Sequence, residues 1–522
     1  MAPSLCMLPP LPRPLDAGRD REGDVMETLP HWIQGRAHES KSERSGDVYN
    51  PATGEVQRRV KYATVAEVDL AVASAKKASE SWRHATLATR TRIMFAFREL
   101  VNRHKEDLAK MLTLEHGKVF SDALGEVSRG LEVIEFACGL SHLLKGEISE
   151  NVSTDVDSYS LRQPLGVVAG ITPFNFPAMV PMWMYPLALA CGNTFVLKPS
   201  ERDPSVTNFC AELLAKAGLP EGVFNVVHGD KVAVDRLLEH PDIAAVSFVG
   251  STPIAQYIYE TGTRHGKRVQ ALGGAKNHMI VLPDADMDLA ADAAINAGYG
   301  SAGERCMAIS ILNTVGNAAD MILPKIKERI AELKVGNGLD PASQMGPLIT
   351  RQHMEKVAGY VAKGAAEGAD VTVDGRTLKV KGHENGFFLG PTLIDNVRPE
   401  MTVYKEEIFG PVLSVHRATT YEQAIGLVNG QAFANGTAIF TNDGGAARKF
   451  QHEVEVGMVG INVPIPVPMA YYSFGGWKSS LFGDLHIYGP DGVKFYTRNK
   501  VVIQRWPDPA HRGVDLGFPQ NK

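Results

Sequence analysis

The sequence has few cysteines, and their spacing fits neither a disulfide framework nor a metal site. The five are odd in number, lie far apart and include no CxxC pair. We therefore expect no metal, and this cysteine usage favours a reducing compartment, so we predict a cytoplasmic protein. The cysteines are Cys6, Cys138, Cys191, Cys210 and Cys306.

The chain also lacks an excess of basic residues. Lys and Arg number 54 against 59 Asp and Glu, which gives a formal net charge of −5. Nucleic acids and anionic membranes are bound by clustered basic surfaces, so neither is expected as a partner. A length of 522 residues exceeds a single ordinary core and predicts two or three structural regions.

No apolar segment typical of a secretory signal occurs near the N terminus. The first 14 residues contain five prolines, and residues 19–24 mix arginines with acidic residues, which also argues against a transit peptide. We predict that residues 1–25 are a disordered extension and that Met26 lies closer to the functional start.

One long stretch, residues 163–197, contains no charged side chain and is long enough in principle to cross a membrane. Five prolines interrupt it, and Asn175 and Asn193 lie within it. A buried strand, loop and helix explain this composition better than a transmembrane span, so no transmembrane helix is predicted.

The order of apolar patterns predicts an α/β fold with two main regions. Residues 62–148 have the three- and four-residue periodicity of successive helices, which end near Gly117 and Gly146. Short β-branched runs then alternate with helical segments, which is typical of a doubly wound parallel sheet. We predict one domain from residues 26–148 and 164–273, a second α/β domain from residues 274–470, and a small β arm from residues 149–163 and 481–502.

A formal GxGxxG run occurs at Gly298, Gly300 and Gly303, but it follows a helix-like segment and opens no helix. It therefore fails as a dinucleotide fingerprint, and a flexible backbone is the better interpretation. The segment at Gly250 and Ser251 closes a strand and opens a helix, so its free N–H groups could bind pyrophosphate. An ordinary capped helix is the alternative there.

A second nucleotide signal is the run from Lys198 to Glu201, which ends another strand. These two side chains could hold the ribose hydroxyls of adenosine, with a surface turn as the alternative. A carboxylate at this point would repel a 2′-phosphate, which favours NAD over NADP.

Two residues have the character of a thiol-based active site. Cys306 follows a glycine-rich run and Arg305, whose guanidinium should favour the thiolate, whereas the cysteines at 138, 191 and 210 lie among apolar residues as buried filler. A thiol that attacks a carbonyl builds an oxyanion and needs a fixed donor. Asn175, held between prolines and aromatics, suits that role, although it could equally satisfy loop carbonyls.

Six motifs in order, TPFNFP, VLKPSE, FVGST, ALGGAKNH, GERCMA and EEIFGPV, resemble the aldehyde dehydrogenase superfamily across roughly residues 28–502. The resemblance implies a Rossmann-type cofactor domain, a catalytic domain and an oligomerisation arm, matching the three regions above, and a homodimer or homotetramer. It implies that Cys306 is the nucleophile and that Asn175, with the backbone N–H of Cys306, holds the oxyanion. The implied NAD-binding residues are Thr172, Phe174, Lys198, Glu201, Arg202, Gly250, Ser251, Glu407 and Phe409.

The sequence departs from the hydrolytic members of this superfamily at one position. Those members have a glutamate at the start of the ELGG motif that activates water, whereas this chain has Ala271. Alanine cannot act as a general base, so a thioacyl enzyme should persist until coenzyme A attacks it. A hydrolytic dehydrogenase and a non-catalytic, crystallin-like relative are the alternatives.

The runs ALGGAKNH and GSAGERCMA resemble the methylmalonate-semialdehyde dehydrogenase subgroup, which also has this alanine. The resemblance implies a substrate with a carboxylate and a role in valine or inositol breakdown. It also implies that Arg129 and Arg305 bind that carboxylate, with Phe176 lining the substrate site. Arginine suits this task because its planar fork pairs with a carboxylate through two hydrogen bonds.

Overall fold

The computed structural model describes residues 26–506 and Gly517. The predicted extension at residues 1–25 lies outside the described residues. None of the helices in the described part of the chain is long and apolar enough to span a membrane. The uncharged stretch at residues 163–197 forms strands, a loop and a helix that are almost entirely buried, as predicted.

The first sheet has eight strands, and its five central strands are parallel. Because Val167 and Ala169 pack into one apolar cluster and Val168 into another, both faces of the sheet are covered. In spatial order the strands are Leu481–Phe482, Arg268–Leu272, Ile243–Val249, Val167–Ile171, Thr194–Lys198, Phe224–Val226, His31–Ile33 and Arg36–His38.

Nine helices between residues 65 and 264 belong to this region of the described chain. Two segments expected as long continuous helices are interrupted, one at His104 and one at Gly139. Gly117 ends a helix in the left-handed conformation, as predicted, whereas Gly146 lies beyond the helix end at Leu143. The helices are Val65–Trp82, Leu87–Arg103, Lys105–His116, Phe120–Cys138, Leu140–Leu143, Met179–Ala190, Ser205–Lys216, Lys231–Glu239 and Thr252–Arg264.

The second sheet has seven strands, all parallel except the first, which confirms the expected second α/β region. Its strands in spatial order are Asp370–Val373, Thr392–Asp395, Val412–Ala418, Ile309–Val315, Asn277–Val281, Gly436–Phe440 and Met458–Ile461. The accompanying helices are Met287–Tyr299, Ala318–Glu332, Arg351–Ala366, Thr402–Lys405, Tyr421–Asn429 and Gly444–Glu453, with 3-10 turns at Gly300–Gly303 and Gly375–Thr377.

A three-stranded antiparallel arm sheet consists of Ile148–Ser153, Val156–Pro164 and Thr497–Arg505. The predicted arm was too long at its C-terminal part. Leu481–Phe482 pairs instead with the edge of the first sheet, and Gly489–Phe495 is a helix. Short apolar runs do not distinguish a strand from a buried turn of helix, so the sequence alone predicts an extended segment here.

Two smaller sheets complete the described chain. The first consists of Thr28–Leu29, Glu55–Lys61 and Ser45–Asn50, and the second pairs Phe433–Ala434 with Trp477–Lys478.

The two main sheets meet end to end. The strand Arg268–Leu272 leaves the first sheet, and the strand Asn277–Val281 enters the second sheet after only four residues. The carboxyl ends of the first sheet's parallel strands therefore face the amino ends of the second sheet's strands. Ligands of open α/β sheets bind at carboxyl ends of strands, so this junction is where the candidate site is expected.

Candidate active site

The candidate nucleophile lies in a strained turn at this junction. After the helix Met287–Tyr299, the residues Ser301 and Ala302 adopt positive φ angles of 53° and 51°. A Cβ on Gly303 would lie 2.1 Å from the carbonyl oxygen of Gly410, so only glycine fits there. The glycine run thus follows a helix and forms the turn before Cys306, as predicted, and opens no dinucleotide-binding helix. Positive φ angles in residues other than glycine are costly and cluster at functional sites.

Two asparagines fix the backbone of the nucleophile. The side-chain amide of Asn277 donates to the carbonyl of Cys306 at 2.9 Å, and that of Asn435 donates to the same oxygen at 3.2 Å. Neither residue was singled out from the sequence. Asn277 could have been found from the sequence because it belongs to the ALGGAKNH motif. Asn435 lies in no such motif, and only the folded structure places it beside Cys306.

The expected effect of Arg305 on the thiolate has the predicted direction, but it is smaller than the effect of burial. The guanidinium of Arg305 also donates through Nη2 to Asp122 Oδ1 at 2.7 Å. Burial, followed by the negative charge of Glu407, raises the pKa of Cys306 to about 12. Smaller lowering effects come from the backbone N–H groups of Cys306 and Met307 and from Arg305. Burial therefore favours the thiol form of Cys306 at neutral pH.

The other three described cysteines agree with their interpretation as filler. Cys138, Cys191 and Cys210 are buried, and burial raises the pKa of Cys138 to about 11 and the pKa of the other two to about 12. Cys306 differs from them because it is partly exposed and lines a cavity together with Arg129 and Arg305.

One of these, here named the Cys306 cavity, has a volume of about 280 Å³. Its walls are mostly apolar, and its charged groups come from the helix Phe120–Cys138 and from Arg305. The structure thus brings together Cys306 and three residues predicted for the substrate site. The lining residues are Asp122, Gly125, Glu126, Arg129, Phe176, Met179, Trp183, Arg305, Cys306, Met307, Ile465, Val467 and Phe474.

The loop that contains Asn175 is held by a buried ion pair that the sequence analysis missed. Lys118 Nζ donates to Glu126 Oε2 at 2.6 Å and to the carbonyl oxygen of Asn175 at 2.7 Å, and both charged side chains are fully buried. Glu126 Oε1 in turn accepts from the N–H groups of Ala178 and Met179 at 2.8 and 3.1 Å. This pair satisfies three backbone groups in and after the uncharged, proline-rich loop, which lowers the cost of burying it.

Asn175 itself is only 4% exposed, and its side-chain amide makes no hydrogen bond among the described residues. The alternative in which it satisfies loop carbonyls is therefore not what the structure shows. A buried amide with a free donor is the arrangement that a developing oxyanion requires.

On the opposite side of Cys306, Glu407 has a fixed position. Its Oε1 accepts from the N–H of Ala275 at 2.8 Å, and a Cβ on Gly274 would lie 2.4 Å from its Oε2. Glu407 and Cys306 line one small cavity of about 10 Å³. Burial raises the pKa of Glu407, against the smaller effects of the Ala275 N–H and of Lys276.

The aromatic rings predicted for cofactor binding lie together. Phe174 and Phe409 meet edge to face with ring centroids 5.9 Å apart, and Phe409 has a positive φ of 60°. The carbonyl oxygen of Phe409 is within 2.7 Å of His353 Nε2. Thr172 is buried at the end of the adjacent strand, and its N–H donates to the carbonyl of Lys198.

The predicted adenosine pair also forms. Lys198 Nζ lies 3.1 Å from Glu201 Oε2, and Arg202 is 3.9 Å from the same carboxylate. Burial raises the pKa of Glu201, but Lys198 and hydrogen bonds outweigh it, so the pKa lies below its usual value and the side chain is ionised at neutral pH.

The helix Thr252–Arg264 begins after Gly250 and Ser251, directly beyond the strand Ile243–Val249, as predicted. Ser251 occupies the N-cap position but its side chain makes no capping hydrogen bond. Among the described residues, the N–H groups of Ser251 and Thr252 have no backbone or side-chain acceptor. Such a helix end attracts anions through its dipole and its free donors.

Ala271 is fully buried in the apolar cluster of the first sheet and lines neither cavity that contains Cys306. The three carboxylates that do line those cavities are Asp122, Glu126 and Glu407, and each has a partner within the protein. Each of these three carboxylates thus already has a protein partner, which makes it a poor base for activating water.

A further buried acid, Glu304, was not predicted. It is fully buried, its Oε1 accepts from the N–H of Ile349 at 3.2 Å, and the rings of His116 and His353 lie 3.9 and 3.6 Å from its carboxyl oxygens. Burial raises the pKa of Glu304 well above its usual value and lowers the pKa of His116 well below its own. Burial also lowers the pKa of His353, so burial favours the uncharged form of all three side chains.

Comparisons with known proteins agree with this geometry. The sequence model of the aldehyde dehydrogenase family matches residues 38–502. A malonate-semialdehyde dehydrogenase of Pseudomonas aeruginosa is 56% identical over 496 residues, which cover 95% of this chain and 100% of that protein. The structure of a methylmalonate-semialdehyde dehydrogenase of Oceanimonas doudoroffii aligns with a TM-score of 0.92 and 56% identity over 93% of this chain and 99% of that one. A Sinorhizobium meliloti protein, provisionally identified as a methylmalonate-semialdehyde dehydrogenase and solved with NAD, gives a TM-score of 0.92 and 53% identity over 93% of this chain and 99% of that one.

Proposed function

The chain belongs to the aldehyde dehydrogenase family, and we propose that it oxidises malonate semialdehyde and methylmalonate semialdehyde with NAD and transfers the acyl group to coenzyme A. The observation on which this proposal depends is the Cys306 cavity, where a thiol and two arginines share one small, largely apolar space. Such a cavity fits a short aldehyde with a carboxylate at its other end. The relatives named for these two substrates support the same choice.

The residues on the other side of Cys306 fit NAD. An ionised Glu201 beside Lys198 suits ribose hydroxyls and would repel a 2′-phosphate. The uncapped N–H groups at Ser251 suit a pyrophosphate, and Glu407 suits the nicotinamide ribose. When bound, NAD supplies the hydride acceptor and a positive charge near the thiol.

Catalysis begins when the thiol of Cys306 releases its proton to solvent, which the nearby positive charges favour, and the resulting thiolate adds to the aldehyde carbon. The oxyanion that forms is held by the free amide of Asn175 and by the backbone N–H of Cys306. Collapse of the oxyanion expels the aldehyde hydrogen as hydride and leaves a thioester on Cys306. Arg305, with Arg129 beside it in the cavity wall, holds the substrate carboxylate until it leaves as carbon dioxide, and Arg305 supplies the free donors that fix the carbonyl over the sulfur.

The thioester carbonyl is now β to the substrate carboxylate, so the carbon–carbon bond to that carboxylate can break. Its electron pair moves onto the thioester as an enolate, carbon dioxide leaves, and a proton adds to carbon. Acetyl or propionyl thioester remains on Cys306. The thiol of coenzyme A then attacks this thioester and releases acetyl-CoA or propionyl-CoA together with the free cysteine. Water does not compete because Ala271 supplies no base and the three nearby carboxylates are already paired.

The assembly and its location are part of the same proposal. The arm sheet exposes apolar side chains, with Ile503 72% and Ile148 68% exposed. Covering this surface with a second copy would bury it and pair the free edge of the sheet, so we expect a dimer or tetramer in the cytoplasm.

The test is steady-state NADH formation from malonate semialdehyde and NAD, with and without coenzyme A, with mass identification of the product. We expect sustained turnover only with coenzyme A and acetyl-CoA as the product. Sustained turnover without coenzyme A, with a free acid as the product, would contradict the proposal.

A further inference from the structure

The two arginines of the Cys306 cavity differ in how much of each guanidinium the protein already occupies. Arg129 donates to Glu132 at 2.7 Å and to the carbonyl of Pro468 at 2.8 Å, and its remaining contacts are with Val467 and Met469. Arg305 makes one hydrogen bond within the described residues, from Nη2 to Asp122 Oδ1 at 2.7 Å. Arg305 therefore has donors left for a ligand, whereas Arg129 is largely engaged in holding the loop at residues 467–469.

Asp122 is placed to control Arg305. It lies in the first turn of the helix Phe120–Cys138, and only 17% of its side chain is exposed. Its second oxygen, Oδ2, is buried and has no hydrogen-bond partner among the described residues. Among the described residues, the salt bridge to Arg305 is thus the only ion pair that offsets the cost of burying the Asp122 carboxylate.

The pair also stands at a boundary. Asp122 and Arg305 both line the Cys306 cavity and a neighbouring cavity of about 600 Å³ that lies against Tyr299 and Ser301. A guanidinium in this position would be free to turn toward either space if its partner were removed. The contact with Asp122 therefore fixes which of its edges is presented to Cys306.

A substrate carboxylate that binds Arg305 must share the guanidinium with a resident carboxylate. Two like charges on one cation repel each other, and the repulsion is stronger in a partly buried site than in water. Asp122 therefore has two opposing effects: it orients Arg305, and it weakens the attraction of Arg305 for any other anion.

We propose that Asp122 is a specificity-determining positioning residue, which holds Arg305 in place and sets how strongly it binds the substrate carboxylate. This inference rests on the proposed function, since it needs a carboxylated aldehyde in the Cys306 cavity. Its consequence is that the wild-type enzyme binds carboxylates less tightly than Arg305 could, which keeps unreactive monocarboxylates from occupying the site.

The test compares malonate semialdehyde with propanal, an uncharged aldehyde of the same chain length, in the wild type and in Asp122→Asn. Asparagine keeps the size and the acceptor oxygen of Asp122 but removes the charge. We expect KM for malonate semialdehyde to fall by about three- to tenfold, with KM for propanal and kcat for both aldehydes unchanged. Inhibition by acetate should strengthen by a similar factor.

The matched control is Glu132→Gln, which neutralises the acid paired with the other arginine on the same helix. It should leave the preference for malonate semialdehyde over propanal unchanged, because Arg129 remains held by backbone carbonyls. If KM for malonate semialdehyde fell equally in Glu132→Gln, the effect would come from the loss of one negative charge near the cavity and not from Asp122 itself. That result would overturn the proposal. If Asp122→Asn does not fold, Asp122→Ser, which also keeps an acceptor oxygen, replaces it.

The outcomes separate the two hypotheses. A wild-type enzyme that prefers malonate semialdehyde, together with an unchanged or weaker preference in Asp122→Asn, overturns the role of Asp122 alone. A wild-type enzyme with no preference for the carboxylated aldehyde overturns both this role and the proposed substrate.

Discussion

The two sides of Cys306 are built differently. On the side proposed for the cofactor, Glu201 and Glu407 each belong to a short sequence motif. The carboxylate of Glu201 pairs with Lys198, and that of Glu407 accepts from the N–H of Ala275. On the side proposed for the substrate, Asp122, Glu126 and Arg129 come from one helix and meet Arg305 from a distant turn. On the first side the charged side chains are already paired by local neighbours, whereas on the second the guanidinium of Arg305 keeps donors that can discriminate between substrates.

The largest expected effect concerns the residue that both sides share. Cys306→Ser should lower NADH formation by more than about a thousandfold, because a serine hydroxyl is a much weaker nucleophile without an adjacent base. The measurement is kcat with malonate semialdehyde, and calorimetric NAD binding should stay intact. Cys138→Ala, at a buried thiol far from both cavities, is the matched control and should remain active. A Cys306→Ser enzyme with near-normal turnover would contradict the assignment.

The thiol of Cys306 should react slowly with alkylating agents in the absence of ligands. Because its pKa is raised to about 12 by burial, the thiolate fraction, and with it the alkylation rate, should rise about tenfold per pH unit from pH 7 to pH 10 without reaching a plateau. Added NAD should accelerate the reaction by bringing a positive charge near the sulfur. Mass spectrometry of the Cys306 peptide measures both rates, and a plateau near pH 8 without NAD would contradict the raised pKa.

The substrate side depends on a buried ion pair that the cofactor side lacks. Glu126→Gln leaves Lys118 without its charged partner, and breaking a buried pair costs about 3–5 kcal/mol. The free energy of unfolding in urea should fall by this amount, and activity should fall with it because the Asn175 loop loses its support. Glu400→Gln, which breaks an exposed pair with Arg398, should change stability by less than about 0.5 kcal/mol.

The two arginines should separate binding from structure. Arg305→Gln should raise KM for malonate semialdehyde by about 10- to 100-fold and leave KM for propanal unchanged, since charged hydrogen bonds contribute about 1.5–3 kcal/mol. Arg129→Gln should affect both aldehydes and lower the melting temperature, because Arg129 anchors the carbonyl of Pro468. Equal effects of the two variants on both aldehydes would remove the distinction between them.

The smallest effect is expected at Glu304. Glutamine has the shape of the protonated acid, so Glu304→Gln should change stability by less than about 1 kcal/mol near pH 4.5. The folded pKa of Glu304 is raised, so the folded wild type keeps a proton that the unfolded chain releases above about pH 4.5. The wild type should therefore lose stability relative to the variant as the pH rises above that value. Unfolding curves measured at about pH 4.5, 6 and 7.5 check the sign of this change. A gain in the free energy of unfolding of the wild type relative to the variant, as the pH rises, would mean that Glu304 is ionised.

The contacts among residues on the proposed cofactor side could be predicted from the sequence more readily than those on the proposed substrate side, for a physical reason. Glu201 and Lys198 are three residues apart, and Ser251 lies directly between a strand and a helix, so their proximity is set by local structure. Asp122 and Arg305 are 183 residues apart and meet only because the helix Phe120–Cys138 packs beside the junction of the two sheets.

The modest effect of Arg305 on the thiol has the same origin. Adjacency in the sequence indicates that two residues are close, but it does not show the burial or the other partners of their side chains. Asp122, from a distant helix, accepts a hydrogen bond from Arg305, and burial outweighs the charge of Arg305 at the sulfur of Cys306. Lys118, Glu126 and Glu304 escaped prediction because charged side chains are usually solvated, and only the packed structure shows that these three are buried.

The most direct test of the central claim is a rapid-mixing experiment with enzyme, NAD and malonate semialdehyde in the absence of coenzyme A. If an acyl group on Cys306 waits for a thiol, NADH should appear in a burst of one per active site and then stop. Intact-mass analysis should then show an acetyl group on Cys306, which added coenzyme A removes. A linear, continuing release of NADH with an unmodified cysteine would contradict the claim, because another group would then be activating water.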